Sequence, residues 1–297
     1  MIKKPTQIQS RPRVETTPDH KKETRSHSRP SFRHQEGTHK TVRSPLTRRA
    51  PIGHSADISK STKLRFVPLG GLEEIGLNMM FFEYQNEIVV IDAGLLFPVE
   101  ETPGIDFIIP NVSYLESKKA NIHALIITHG HYDHIGAIPY VMDKLGHPPI
   151  YTTSLTKAII EKRQEDFPNR PKLNIITVKN GDKIKLSNHF EAEFFGIAHT
   201  IPESTAINLK TPIGNVVNLG DFKIEYNEDG APTDVETMTR IGKDGVLMFT
   251  VESTNADRPG KSESERTVEK NLEELIGSAE GRIIVAMFAS VLTRIGE

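Results

Sequence analysis

The run Thr128-His129-Gly130-His131-Tyr132-Asp133-His134 narrows what this chain can become more than any other feature of it. It stands directly behind Ala124-Leu125-Ile126-Ile127, a short continuous apolar stretch that suits a strand covered on both faces. At an extended strand end, residues two apart point the same way, so His129 and His131 can converge on one ion. Asp133 and His134 then project from the turn that opens a helix, where Ile135, Ile138, Val141 or Met142, and Leu145 recur at helical spacing. That arrangement offers a second, adjacent ligand pair rather than the completion of one tetrahedral set, and it points to two ions. Neutral imidazoles with carboxylates suit Zn2+ or Mn2+ and make a poor site for Ca2+ or Mg2+ alone. A lone histidine in such a place is ordinarily structural; three with an aspartate at this spacing are another matter.

One ion needs about four ligands, so the remainder must come from elsewhere on the chain. His199 follows the strand expected at residues 191–197, and Asp221 follows the strand expected at 215–219. Strands deliver both to an edge, the usual place for a site in a layered α/β protein. Taken singly, each reads equally well as capping or turn chemistry. Glu252, at the end of the strand expected at 246–251, suits a structural role as well as a catalytic one. His123, His147 and His189 read as surface or turn residues, and Gly70, Gly71 and Gly94 as tight turns near the site.

Around this run the chain reads as β-rich with intervening helices. Residues 63–69 alternate as a strand, and Met79–Tyr84 and Glu87–Ile91 flank Gln85-Asn86 as a hairpin. Further strands are expected at 175–178 and 282–288, and a helix at 267–276. Pro139 fits its helix because it falls near the first turn. Residues 1–60 differ in kind: they hold 14 Lys and Arg against 5 Asp and Glu, whereas the remainder holds 23 against 34. Rich in Ser, Thr, Pro and His, residues 1–61 should form a disordered basic tail, either a solvated extension or a polyanion holder.

The absence of cysteine excludes thiol nucleophiles, disulfide frameworks, thiolate zinc fingers and iron–sulfur clusters. The longest apolar run, at residues 283–289, falls far short of the ~20 residues that span a bilayer, and the start lacks a signal-peptide pattern. A cytoplasmic protein without a membrane partner is the expectation.

The pattern His129-x-His131-x-Asp133-His134, then His199, then Asp221, with Asp92 upstream, resembles the metallo-β-lactamase superfamily of hydrolases. Further segments narrow the likeness: Leu69-Gly70-Gly71 through Glu74-Ile75-Gly76 and Asn78, Ile91-Asp92-Ala93-Gly94, and His199-Thr200-Ile201-Pro202-Glu203-Ser204. So do Gly220-Asp221-Phe222-Lys223, Glu252-Ser253-Thr254-Asn255-Ala256 with Arg258-Pro259-Gly260, and Gly281-Arg282-Ile283-Ile284-Val285-Ala286. Together they resemble the ribonuclease J family, of the β-CASP group of nucleases, over residues 62–297.

That resemblance implies an α/β fold: an αββα sandwich over residues 62–260, with residues 261–297 beginning an inserted β-CASP domain. It implies that His129, His131 and His199 hold one Zn2+ and Asp133 and His134 the other, Asp221 bridging, with Mn2+ or Mg2+ as alternatives. Asp92 supports the ligands without binding an ion. Catalysis would involve Asp133 and His134 beside a metal-activated water that attacks an RNA phosphodiester. The family combines endonuclease with 5′-to-3′ exonuclease activity on single-stranded RNA, preferring a 5′-monophosphate, and tends to dimerise or assemble further. It also supplies a later histidine ligand and a histidine–serine phosphate pocket, yet the 98 residues after His199 contain no histidine. The chain is therefore expected to be about the N-terminal half of a longer protein, with doubtful full activity alone. Two other readings stay open: a small-molecule hydrolase of the superfamily, such as a thioesterase or lactonase, and a non-enzymatic RNA-binding fragment.

Overall fold

The computed structural model describes residues 61–98, 102–226, 232, 235–260, 262–288 and 290–291. The tail expected at residues 1–61 lies outside them but for Ser61.

The described residues form two sheets. In the first, β1 (Arg65–Gly70), β2 (Met79–Tyr84), β3 (Glu87–Ile91), β4 (Ile122–Ile126), β5 (Ile150–Thr152) and β6 (Ile175–Thr177) lie in chain order. β1 to β3 are antiparallel and β3 to β6 parallel. The second sheet runs β11 (Met248–Thr250), β10 (Gly214–Asn218), β9 (Thr205–Thr211), β8 (Glu191–Gly196), β7 (Lys183–Lys185), with β11 parallel to β10 and the rest antiparallel. The helices are α1 (Ser113–Glu116), α2 (Tyr132–Ile135), α3 (Ile138–Leu145), α4 (Ser154–Gln164), α5 (Val235–Lys243) and α6 (Glu265–Ser278).

Strand alternation sorts the apolar side chains into three cores. Phe81, Val90 and Leu125 face outward from the first sheet onto Leu115 of α1, Val141 and Leu145 of α3 and Ile160 of α4. Their neighbours Phe82, Val89, Ala124 and Ile126 face the other way, onto Phe194, Ile207, Leu209 and Val216 of the second sheet. Beyond that sheet, Phe195, Ala206 and Val217 cover Ile241 and Met238 of α5. The layers therefore run helix, sheet, sheet, helix, the αββα order that the resemblance implied. A strand buried on both faces must be apolar throughout, which is why β4 reads as a continuous run.

The hairpin forms as expected: Gln85 and Asn86 both take positive φ, 47° and 70°, as a two-residue turn matched to strand twist requires. Elsewhere the structure departs from the sequence expectation. The helix expected from Ile135 to Leu145 is two helices, because the ring of Pro139 collides with the carbonyl of Ile135 four residues earlier if both lie in one helix. Residues 282–288 form no strand; Ile284 and Phe288 are 86% and 81% exposed, and no described strand pairs with this segment. The expected strand at 246–251 shortens to β11. Unforeseen are β5, β7, β9, α1, α4 and α5. β9 escapes pattern reading because its buried face carries Asn208, whose amide donates to the buried carboxylate of Glu193 at 3.3 Å. Among the described residues, no helix is long and apolar enough to cross a membrane.

Phe194 is fully buried between the sheets. Phe194→Ala should lower unfolding stability by about 3–5 kcal/mol, as measured by denaturant titration, through lost transfer energy and the cavity left behind.

Candidate metal centre

Every strand that delivers a candidate ligand ends at the same rim of the sandwich. β3 ends at Asp92, β4 leads through Thr128 to His129 and His131, α2 presents Asp133 and His134, β8 leads to His199, and β10 leads to Asp221. All six candidate ligands read from the sequence come together. His129, His131, His199 and Asp221 offer ligand atoms within 4.8 Å of one another, as do Asp133, His134 and Asp221. Asp221 belongs to both groups: its Oδ2 lies 3.9 Å and 3.8 Å from Nε2 of His129 and His199, and its Oδ1 lies 3.3 Å from His134 Nε2.

Three imidazole nitrogens converge closely. His131 Nδ1 is 3.1 Å from His129 Nε2 and 3.2 Å from His199 Nε2. Nitrogens bound tetrahedrally at 2.0–2.1 Å from Zn2+ lie roughly 3.3 Å apart, so this donor set fits one such ion. The second group is more open, facing a cleft of about 510 Å³ lined by Asn78, Asp133, His134 and Asp221 together with Phe66 and Phe249.

Asp92 sits behind these groups and sets their tautomers. Its backbone turns with φ +59°, its N–H donates to Ile126 O at 2.8 Å, and its carboxylate is buried. Oδ1 accepts from Thr128 N at 2.9 Å, both oxygens lie within reach of the Thr128 hydroxyl, and Oδ2 faces His134 Nδ1 at 2.8 Å. A carboxylate can only accept, so His134 carries a proton on Nδ1 and turns Nε2 toward Asp221. The Thr128 hydroxyl gives its hydrogen to Asp92 and so can only accept from His129 Nδ1, 3.0 Å away. That leaves His129 Nε2 free toward His131. Thr128 was not read as functional from the sequence, although a polar residue closing an apolar strand was the available signal. Asn78 was quoted only within a motif. Its amide lies 3.3 Å from Asp133 Oδ2 and 3.1 Å from His134 Nε2, and its backbone N–H donates to Asp133 O at 3.1 Å.

The backbone around the site is close-packed. A Cβ on Gly94 would lie 1.5 Å from the carbonyl oxygen of Asp133, so this glycine serves close approach rather than the turn expected. Gly71, at φ +80°, is the turn residue. Glu252 accepts from Phe222 N at 3.2 Å and so holds the segment that follows Asp221. Among the remaining histidines, His147 turns with φ +57° beside Asp143, and His189 stands against Glu87, both away from the cluster.

Burial separates the titration of the histidines. It pushes His129 well below the ordinary range, lowers His131, and brings His199 down to about 4, each despite or alongside charged neighbours. Burial also opposes charge on His134, yet Asp92 and then Asp221 hold its pKa well above the ordinary value. Asp221 is lowered, burial being outweighed by His134 and the other rings.

Residues 74–241 match the family model described as the metallo-beta-lactamase superfamily. A protein named ribonuclease J from Thermus thermophilus is 38% identical over 238 residues, covering 78% of this chain and 42% of its own length. The ribonuclease J of Mycoplasma pneumoniae is 37% identical over 236 residues, covering 80% of this chain and 41% of its own. The chain thus spans well under half the length of these relatives, and the expected likeness to the ribonuclease J family is borne out. A crystal structure of a protein of unknown function from Enterococcus faecalis shares the fold, with a TM-score of 0.56 at 18% identity, covering 78% of this chain and 61% of that one.

Neutral rings take a metal ion without first losing a proton, whereas a protonated ring must release one. The three-histidine group should therefore load with little pH dependence near neutral pH and lose affinity as pH falls toward about 4, where His199 protonates, while loading at Asp133–His134 should strengthen as pH rises. Calorimetric Zn2+ titrations in buffers of different ionisation enthalpy should show about one proton released with the weaker ion and close to none with the tighter. Asp92→Asn should weaken metal affinity by about 10–100-fold in a chelator competition, as loss of a supporting carboxylate does.

Proposed function

Because this chain belongs to the metallo-β-lactamase superfamily, we propose that it carries the catalytic half-site of a metal-dependent ribonuclease that cleaves RNA phosphodiester bonds. The observation that carries this reading is the sharing of Asp221 between two adjacent ligand groups, which is the geometry a pair of ions needs. In this reading His129, His131 and His199 hold one Zn2+, Asp133 and His134 the other, and Asp221 spans both. When bound, the ions would lower the pKa of water and offset the charge that builds on the phosphoryl oxygens.

The chain's own residues prepare that chemistry. Asp92 and Thr128 orient two imidazoles before any ion arrives, which reduces the reorganisation needed on binding. Asn78 steadies the Asp133 carboxylate at the cleft floor. With fewer ligands than its neighbour, the Asp133 position leaves room for water or a substrate oxygen, as catalytic sites do. The substrate is single-stranded RNA, with 5′-to-3′ exonuclease action favouring a 5′-monophosphate and endonuclease action beside it. Residues 62–260 are assigned to the lactamase-like domain and 261–297 to the start of a β-CASP domain, and the whole protein acts in the cytoplasm as a dimer or larger assembly. The names of the relatives favour RNA over the small-molecule substrates left open by the sequence.

Metal content by mass spectrometry on the purified chain should give about two ions per molecule. His131→Ala and Asp133→Ala should each reduce that content in the chain and, in a full-length version, lower cleavage of a 5′-monophosphorylated RNA by more than roughly 100-fold, while RNA binding survives. Unchanged turnover in either variant would sink this reading.

A further inference from the structure

The loop carrying Asp221 is fastened just beyond that residue. Lys223 N donates to the carbonyl of Ala198, the residue before His199, at 2.7 Å. The Lys223 side chain, 15% exposed, runs inward and places its ammonium 3.0 Å from Glu225 Oε1 and 2.9 Å from Glu265 Oε1. Glu265 opens α6, whose start is capped by Ser264 accepting from Thr267 N at 3.1 Å. One residue therefore touches the loop of Asp221, the loop of His199 and a helix from outside the two sheets. Two carboxylates pair with this partly buried lysine, and one of them, Glu265, is near enough to His199 to act on its charge.

We propose that Lys223 is a positioning residue. Through Glu265 it anchors the Asp221 loop to α6, and through its backbone it fixes that loop against His199, so that the Asp221 carboxylate stays between the two ligand groups. The consequence is that α6, although it supplies no ligand, governs how well Asp221 serves both positions. This inference rests on the two-ion reading above.

The test is a Co2+ titration of the whole chain followed by visible absorption, which reports ligand geometry independently of catalysis. Wild type should load in two steps. Lys223→Met should weaken the step that needs Asp221 at both positions by roughly 10-fold or more and alter the cobalt bands, and Lys223→Arg should restore most of the loss. Glu265→Gln should reproduce the defect in milder form, and combining it with Lys223→Met should add little, since both remove one connection. Circular dichroism melts identify any variant that does not fold, in which case Glu265→Gln carries the comparison. Two-step loading by Lys223→Met and Glu265→Gln with wild-type affinity and spectrum would overturn this inference alone. Failure of wild type to bind cobalt would overturn the metal-centre reading and this inference with it.

Discussion

The buried carboxylate of Asp92 holds the site and the fold to each other. It accepts from the backbone and hydroxyl of Thr128 and from the ring of His134, and its own N–H closes onto Ile126. The ends of β3 and β4 and the start of α2 are thereby tied at one point. A carboxylate taken out of water is costly unless its oxygens are fully engaged, so this arrangement tolerates little slippage of β3 against β4. Register in the first sheet and ring orientation in the metal centre are consequences of the same bonds.

Around that point the four layers deliver the remaining ligands. Each sheet is covered on both faces, so its strands are rigid, and side chains at their ends are placed with little freedom. Burial favours the neutral form of the histidines in this dry rim, which suits them as ligands, while the two carboxylates facing His134 favour its charged form until an ion displaces the proton. The site thus contains two unlike positions: a compact, nitrogen-rich one and an open one with more oxygen. In the proposed two-ion reading such a difference would let one ion be held firmly while the other meets the substrate.

The candidate ligands were legible because their chemistry is local. His129, His131, Asp133 and His134 follow one apolar strand, and His199 and Asp221 close two others, so residue type and strand period suffice to nominate them. Thr128 and Asn78 were not legible in their roles, since threonine and asparagine serve everywhere and only the contacts with Asp92, His129 and Asp133 distinguish these two. The hairpin at Gln85-Asn86 was readable from turn chemistry. By contrast β9 hides a buried Asn208–Glu193 pair that breaks its alternation. Residues 282–288 carry strand-like composition, but a strand exists only with a neighbour to share its hydrogen bonds.

By itself the sequence determined which ligand atoms this protein can offer a metal, because ligand identity is a property of side chains, and it determined β4, because two-faced burial demands a continuous apolar strand; the paired sheets were implied only by the family resemblance. Only the tertiary structure decided that Asp221 faces both groups, that Asp92, directly and through Thr128, puts a proton on Nδ1 of His134 and His129, and that Gly94 yields space to Asp133. Those are distances between residues from 22 to 92 apart along the chain, and only the packing of the layers brings them within bonding reach.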